Sequence, residues 1–285
     1  MTGKITLKDR RTLCYEEYGR PGGKPVMFFH GTPSSRLQRF PDDTFTASLG
    51  ARLITIDRPG FGCSTFQPYR QLLDWPDDVI TLADSLGIGK FAVAGVSGGG
   101  PYAAACAYKI PNRLTRVGMI SSVGPTDIPN NLNGLYSSRK IGVFIARNFP
   151  LVLPLAIAIF QNPQHNPESY FKKILKNSSK TDQEIITRPE IKHLLISCWL
   201  EGTRNGIKGF AREGIIFSKP WGFQLEDIQT EIYIWHGDKD TSTPVIIAKN
   251  IANQIPHCHL NIIPNKGHFL LFDQWQEILA KLVNL

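Results

Sequence analysis

With 285 residues, 42% of them hydrophobic and 20% charged, the chain has the make-up of a soluble globular protein able to bury a sizeable core. That length suits one large α/β domain, or a core carrying an inserted subdomain. The formal net charge of +8 raises nucleic acid and anionic membranes as partners. Lys and Arg are nevertheless spread along the chain, with no polybasic run and no nucleic-acid-binding motif. A solvated basic surface and no nucleic-acid partner are expected.

The first ten residues hold no apolar h-region of a secretory signal. Cys14, Cys63, Cys106, Cys198 and Cys258 are odd in number and scattered, without a C-x-x-C pair, so reduced thiols in a cytoplasmic protein are expected. Residues 141–160 form the longest apolar stretch, but Arg147, Asn148, Pro150 and Pro154 interrupt it. It falls short of a spanning segment, and no stable membrane insertion is expected.

In chain order, residues 4–8 and 12–18 read as a hairpin turning at Asp9-Arg10-Arg11. Val26-Met27-Phe28-Phe29 and residues 52–56 are apolar enough for buried parallel strands. A helix is predicted over residues 69–86, with Pro76 marking a break or restart. Residues 91–96 form the next strand, followed by a helix rich in alanine and then a strand over 114–121. The alternation stops between residues 124 and 224, which read as an inserted, mainly helical cap. It resumes with a strand at 231–236, a helix at 244–255, a strand at 259–263 and a last helix at 269–283. In that helix Leu271, Trp275, Ile278, Leu279 and Leu282 recur at helical spacing. The fold class is therefore α/β, a mostly parallel doubly wound sheet. Its core spans residues 1–123 and 225–285, and its cap spans 124–224.

Residues 91–100, FAVAGVSGGG, carry a G-x-S-x-G pattern between strand and helix. In that context the serine, Ser97, is expected on a strained turn at the top of the sheet as a nucleophile. The alternative is a glycine-rich, phosphate-holding turn of another α/β fold, although neither the dinucleotide spacing nor G-x-x-x-x-G-K-[ST] is present. Glycine is required at Gly95 and Gly99, where a side chain would strike the neighbouring strand or helix. Pro101 fits a first helical turn, and the helix N-terminus aims N–H groups at the reacting centre. A serine hydroxyl needs a base oriented by an acid, and in this arrangement the acid and then the histidine follow downstream.

These motifs resemble the α/β-hydrolase family. His236-Gly237-Asp238-Lys239-Asp240 with Pro244 is similar to the family's H/Y-G-x-x-D acid segment, which implies Asp240 as the orienting acid, with Asp238 and Asp127 as alternatives. Gly267-His268, before the last helix, implies His268 as the base. His30-Gly31-Thr32-Pro33 resembles the family's H-G-x-P loop, so the backbone N–H of Thr32 would join that of Gly98 in an oxyanion hole. By the same resemblance His30 braces the loop, and residues 57–62 form a structural turn beside the site. The likeness covers residues 4–123 and 228–285.

The resemblance implies a serine hydrolase working through an acyl-enzyme on carboxylic esters of small or medium hydrophobic compounds. Peptidase, C–C bond hydrolase and perhydrolase are alternatives of the same fold, and a non-catalytic ligand-binding protein is a further one. No cofactor is expected, and no metal: in His257-Cys258-His259 successive side chains on a strand point to opposite faces. The expected partner is a small-molecule substrate, and the chain a monomer or homodimer. For the apolar cap stretch two readings stand: Phe149 and Phe160 line the substrate pocket, with Pro150 and Pro154 letting the cap move as a lid, or the stretch is only the packed core of the cap.

Overall fold

The computed structural model describes residues 2–128, 131–132, 135 and 137–283, without the side chains of residues 137 and 138. The strands are β1 (Gly3–Thr6), β2 (Thr12–Gly19), β3 (Lys24–Phe29), β4 (Ala51–Ile56), β5 (Phe91–Val96), β6 (Leu114–Ile120), β7 (Ile232–Gly237) and β8 (Cys258–Ile263). They form one sheet in the order β1-β2-β4-β3-β5-β6-β7-β8. Only β1 and β2 pair antiparallel to their neighbours. The register sets Phe29 beside Ile56 and Gly95, Ile120 beside Trp235, and Gly237 beside Ile263. The carboxyl ends of the parallel strands therefore lie along one edge of the sheet, where ligands bind in this class of fold.

Helices cover both faces. They are α1 (Asp43–Ser48), α2 (Trp75–Ser85), α3 (Gly100–Lys109), α4 (Ser137–Asn148), α5 (Leu153–Phe160), α6 (Pro167–Asn177), α7 (Lys180–Ile186), α8 (Pro189–Gly202), α9 (Lys208–Phe217), α10 (Val245–Gln254) and α11 (Leu271–Val283). Successive strand residues point to opposite faces. Accordingly, Phe28 meets Trp275 of α11 edge-on at 5.8 Å, while Phe29 meets Trp75 of α2 at 5.3 Å. The spacing read in the last helix delivers Leu271, Trp275, Ile278, Leu279 and Leu282 to the core, all buried. Pro76 starts α2 and does not break a longer helix: a 3₁₀ turn at Leu72–Asp74 precedes it, and Pro76 occupies the first turn.

Between β6 and β7 the described residues add six α-helices, α4 to α9, and no strand. The thiols depart from expectation. Cys14 and Cys63 form a disulfide, with Cα atoms 5.8 Å apart across 49 residues of sequence. Sheet register brings them together: Tyr15 lies opposite Ile56, and the Asp57 N–H donates to Cys14 O at 2.9 Å. Cys106, Cys198 and Cys258 stay free. Among the described residues no helix is long and apolar enough to cross a membrane.

Candidate active site

Four strand ends supply the site. Ser97 follows β5 directly and has φ +53°, in the left-handed region that costs a non-glycine residue energy. Close packing holds the turn there: a Cβ on Gly95 would lie 2.1 Å from Gly99 O, and one on Gly99 would lie 2.1 Å from Phe29 O. The chain can cross its own strand at this point only without side chains. His268 comes from the loop between β8 and α11, and Asp240 from the turn after β7.

The structure brings these three side chains together. His268 Nε2 lies 3.0 Å from Ser97 Oγ, and His268 Nδ1 lies 2.8 Å from Asp240 Oδ2. An ionised carboxylate can only accept, so Nδ1 carries the proton and Nε2 is left to accept from the serine hydroxyl. Asp240 is aimed by its own turn: Oδ1 accepts from the Ser242 and Thr243 N–H groups at 2.7 and 2.8 Å, and Oδ2 accepts from Thr243 Oγ at 2.8 Å. Burial pushes the Asp240 carboxyl up, but the charge and hydrogen bond of His268 outweigh it and leave it below the usual range. His236, buried beside it, is pushed down by burial, and its Nε2–H donates to Thr243 O at 2.6 Å. Asp127 stands exposed, and Asp238 faces Lys239 at 3.4 Å.

The loop after β3 lies against Ser97. A Cβ built on Gly98 would fall 2.3 Å from Thr32 Oγ1, so Thr32 and Gly98 are immediate neighbours. Gly98 also lies in the first turn of a 3₁₀ helix, Ser97–Gly99, where an N–H has no intrahelical acceptor. His30 braces this loop as a neutral ring. Its Nδ1–H donates to Gly31 O at 2.7 Å and its Nε2 accepts the Arg58 N–H at 3.3 Å, while burial and then the Arg58 charge hold its pKa well below the ordinary value.

Two buried carboxylates from the helices between β6 and β7, which sequence reasoning missed, hold two of the loops that form the site. Glu213 of α9 accepts from Arg58 Nε at 2.6 Å, from Arg58 Nη2 at 2.9 Å, from Arg70 Nη2 at 3.1 Å, and from Thr32 Oγ1. Arg58 in turn donates to His30 O, and to Gly31 O and Thr32 Oγ1 at 3.1 Å each. Residues 57–62 thus do more than turn the chain: Arg58 carries the loop after β3. Asp182 of α7 accepts the His268 N–H at 2.9 Å and the Phe269 N–H at 2.8 Å. Ser179-Lys180-Thr181-Asp182 has the pattern of a helix start, which marks Asp182 as a capping residue and not as a partner of His268. No motif marks Glu213, and its place ahead of Gly214-Ile215-Ile216-Phe217 is the one hint the sequence offers for it.

Phe149 and Phe160 do not join this cluster of contacts; they stand 54% and 70% exposed. Among the described residues no group of His, Cys, Asp and Glu is arranged to hold a metal ion, and His259 pairs with Glu231 at 2.7 Å.

Residues 24–274 match the family described as alpha/beta hydrolase fold, and the chain belongs to that family. It is similar to the bifunctional esterase/perhydrolase DCH of Acinetobacter calcoaceticus, 25% identical over 285 residues, covering 93% of this chain and 92% of that one. It is also similar to the non-heme chloroperoxidase of Streptomyces lividans, 30% identical over 133 residues, a match spanning 46% of this chain and about half, 48%, of that protein. Among solved structures, a bromoperoxidase from Bacillus anthracis superposes with a TM-score of 0.75 at 20% identity, covering 99% of each chain. The protein is an enzyme of the α/β-hydrolase class.

Proposed function

We propose that the protein is a serine hydrolase cleaving carboxylic esters of small or medium hydrophobic compounds through an acyl-enzyme on Ser97. The observation that carries this reading is the unbroken hydrogen-bonded line from Ser97 Oγ through His268 to Asp240. We take residues 124–224 as the cap and 1–123 with 225–285 as the core.

His268 Nε2 removes the proton of Ser97 as Oγ bonds to the ester carbonyl carbon. Asp240 holds the ring in the productive tautomer and stabilises the imidazolium that forms. The carbonyl oxygen, now an anion, accepts from the Thr32 and Gly98 N–H groups, each worth on the order of 3 kcal/mol. Arg58 and Arg70 outnumber Glu213 in the buried cluster behind Thr32, so the surroundings of that anion are positive. The imidazolium then protonates the leaving alkoxide as the C–O bond breaks. Water, deprotonated by the same histidine, attacks the acyl-serine and releases the acid. The esterase among the full-length relatives agrees with this choice of bond.

The test is turnover of a series of p-nitrophenyl esters of rising acyl length, with amides and lactones beside them. The reading requires ester cleavage by the wild type that Ser97→Ala abolishes. Cleavage of amides alone, or no turnover of any acyl compound, would replace it.

A further inference from the structure

Of the eleven large apolar side chains that stand exposed among the described residues, eight lie between Ile141 and Phe160. Scattered singly, exposed apolar residues need no explanation, but a concentration of this kind marks a contact surface. The helix α5, LPLAIAIF, is apolar on every side. One side is used: Leu153 and Ile157, four residues apart, are buried with Ala146 of α4 and Ala211 of α9. The opposite side, Leu155 and Ile159 at the same spacing, is open at 62% and 58% exposure, and Phe160, the last residue of the helix, is exposed at its end. A helix apolar all round calls for a second cover. At the turn between α4 and α5, Leu151 is 93% exposed, and the Phe144 and Phe149 rings beside it lie 6.1 Å apart.

The chain on either side of this patch is mostly basic. Residues 128–178 include six basic residues and a single acidic one, Glu168. Lys173 reaches the patch itself, donating from Nζ to Phe160 O at 3.2 Å, and Lys140 is exposed on α4. An apolar surface flanked by Lys140 and Lys173 fits the boundary of an anionic bilayer. There the apolar side chains sink to about 5–10 Å, and lysines stretch their stems along apolar surface while the ammonium groups stay among the phosphates. A second copy of the chain fits less well. A two-fold contact sets a patch against itself, and would bring two copies of Lys140 and Lys173 to one interface.

We propose that the α4–α5 face of the cap docks peripherally on anionic lipid membranes, without spanning them. This gives part of the net positive charge a role, and it takes Phe149 and Phe160 to the lipid side of the cap. The proposal does not rest on the hydrolase reading.

Co-sedimentation with vesicles of phosphatidylcholine, alone or mixed with phosphatidylglycerol, tests it on the full chain. The wild type should pellet with the mixed vesicles, less with phosphatidylcholine alone, and less as salt is raised. Leu151→Asp and Ile159→Asp should abolish pelleting on both. Lys140→Glu with Lys173→Glu should lower partition onto mixed vesicles about tenfold or more, since each basic residue near an anionic surface contributes on the order of 1 kcal/mol. Circular dichroism melts of each variant establish that the loss is not unfolding. Wild type that stays in the supernatant overturns the proposal, as do well-folded variants that pellet like wild type. A homodimer in sedimentation velocity that Leu151→Asp dissolves would also overturn it, by making the cover a second copy.

Discussion

Glu213 on α9, between β6 and β7, receives Arg58 of the loop after β4 at 2.6 Å, and neither side chain is exposed at all. A charge pair this deep ties the two parts of the chain together, because separating them would leave two unpaired charges in a poorly hydrated interior. The loop read as the source of an oxyanion-hole donor hangs on the same pair through Thr32 and Gly31. The proline-flanked turn at residues 149–152 leads into α5, whose Leu153 and Ile157 pack on Ala211 of α9, the helix that carries Glu213. Any lid motion at that turn has to work against this packing.

Removing one partner of this pair should therefore be severe. Glu213→Ala is expected to destabilise the fold by about 3–5 kcal/mol, as for other broken buried pairs, and to lower kcat as the loop after β3 loosens. Urea denaturation and steady-state kinetics check both effects. A stability within about 0.5 kcal/mol of wild type, the range of a bland surface change, would show that the pair is not holding α9 to the loop after β4.

The same carboxylate governs part of the acid stability. Burial pushes Glu213 up, but the charge and hydrogen bond of Arg58, and then the charge of Arg70, pull it down to about 2 from an ordinary 4.5. A depressed carboxyl contributes stability that is complete above its unfolded pKa and is lost as pH falls toward its folded one. Stability measured from pH 5 downward should fall less steeply in Glu213→Gln than in wild type. Parallel curves would mean that Glu213 titrates alike in both states.

Asp182 should act through the histidine it supports. Asp182→Ala removes the acceptors of the His268 and Phe269 N–H groups, freeing the ring to drift from Ser97. Misplacement by about 1 Å costs on the order of a hundredfold in rate. A fall in kcat with KM little changed is expected, and Asp182→Asn, which keeps one acceptor oxygen, should recover part of it. A rise in KM at constant kcat would place Asp182 in substrate binding instead.

The motifs nearest the chemistry were legible because each is set by local geometry. Ser97 stands where strand, tight turn and helix meet, and Gly95 and Gly99 are dictated by backbone contacts a few ångströms away. The sheet was legible because Phe28, Ile54 and Val93 sit in short runs apolar enough to be buried on both faces. Asp182 and Glu213 were not legible. Their partners lie 86 and 155 residues distant, and helical acidic residues ordinarily face solvent. The Cys14–Cys63 bridge escaped for a similar reason: spacing along the chain says nothing of the β2–β4 register that joins them. In residues 141–160 the apolar pattern was plain, but periodicity does not tell a pocket wall from an outer face. The burial of Leu153 and Ile157 against the exposure of Leu155 and Ile159 is what the sequence does not give.

If Ser97, His268 and Asp240 work as a unit, their substitutions should not add. Ser97→Ala and His268→Ala should each lower kcat by several orders of magnitude, with the double variant little worse than either alone. Asp240→Asn, which favours the wrong histidine tautomer, should cost up to about ten-thousandfold. Additive losses would separate the three.

The most direct test of the central claim is covalent labelling of Ser97 by a fluorophosphonate, read by intact mass and by peptide mapping. The hydrogen bond from Ser97 Oγ to His268 Nε2 at 3.0 Å predicts a single adduct on the peptide containing Ser97. The adduct should form rapidly in wild type, far more slowly in His268→Ala, and not at all in Ser97→Ala. An adduct on another residue, or labelling of Ser97→Ala at the wild-type rate, would contradict a serine nucleophile at the end of β5.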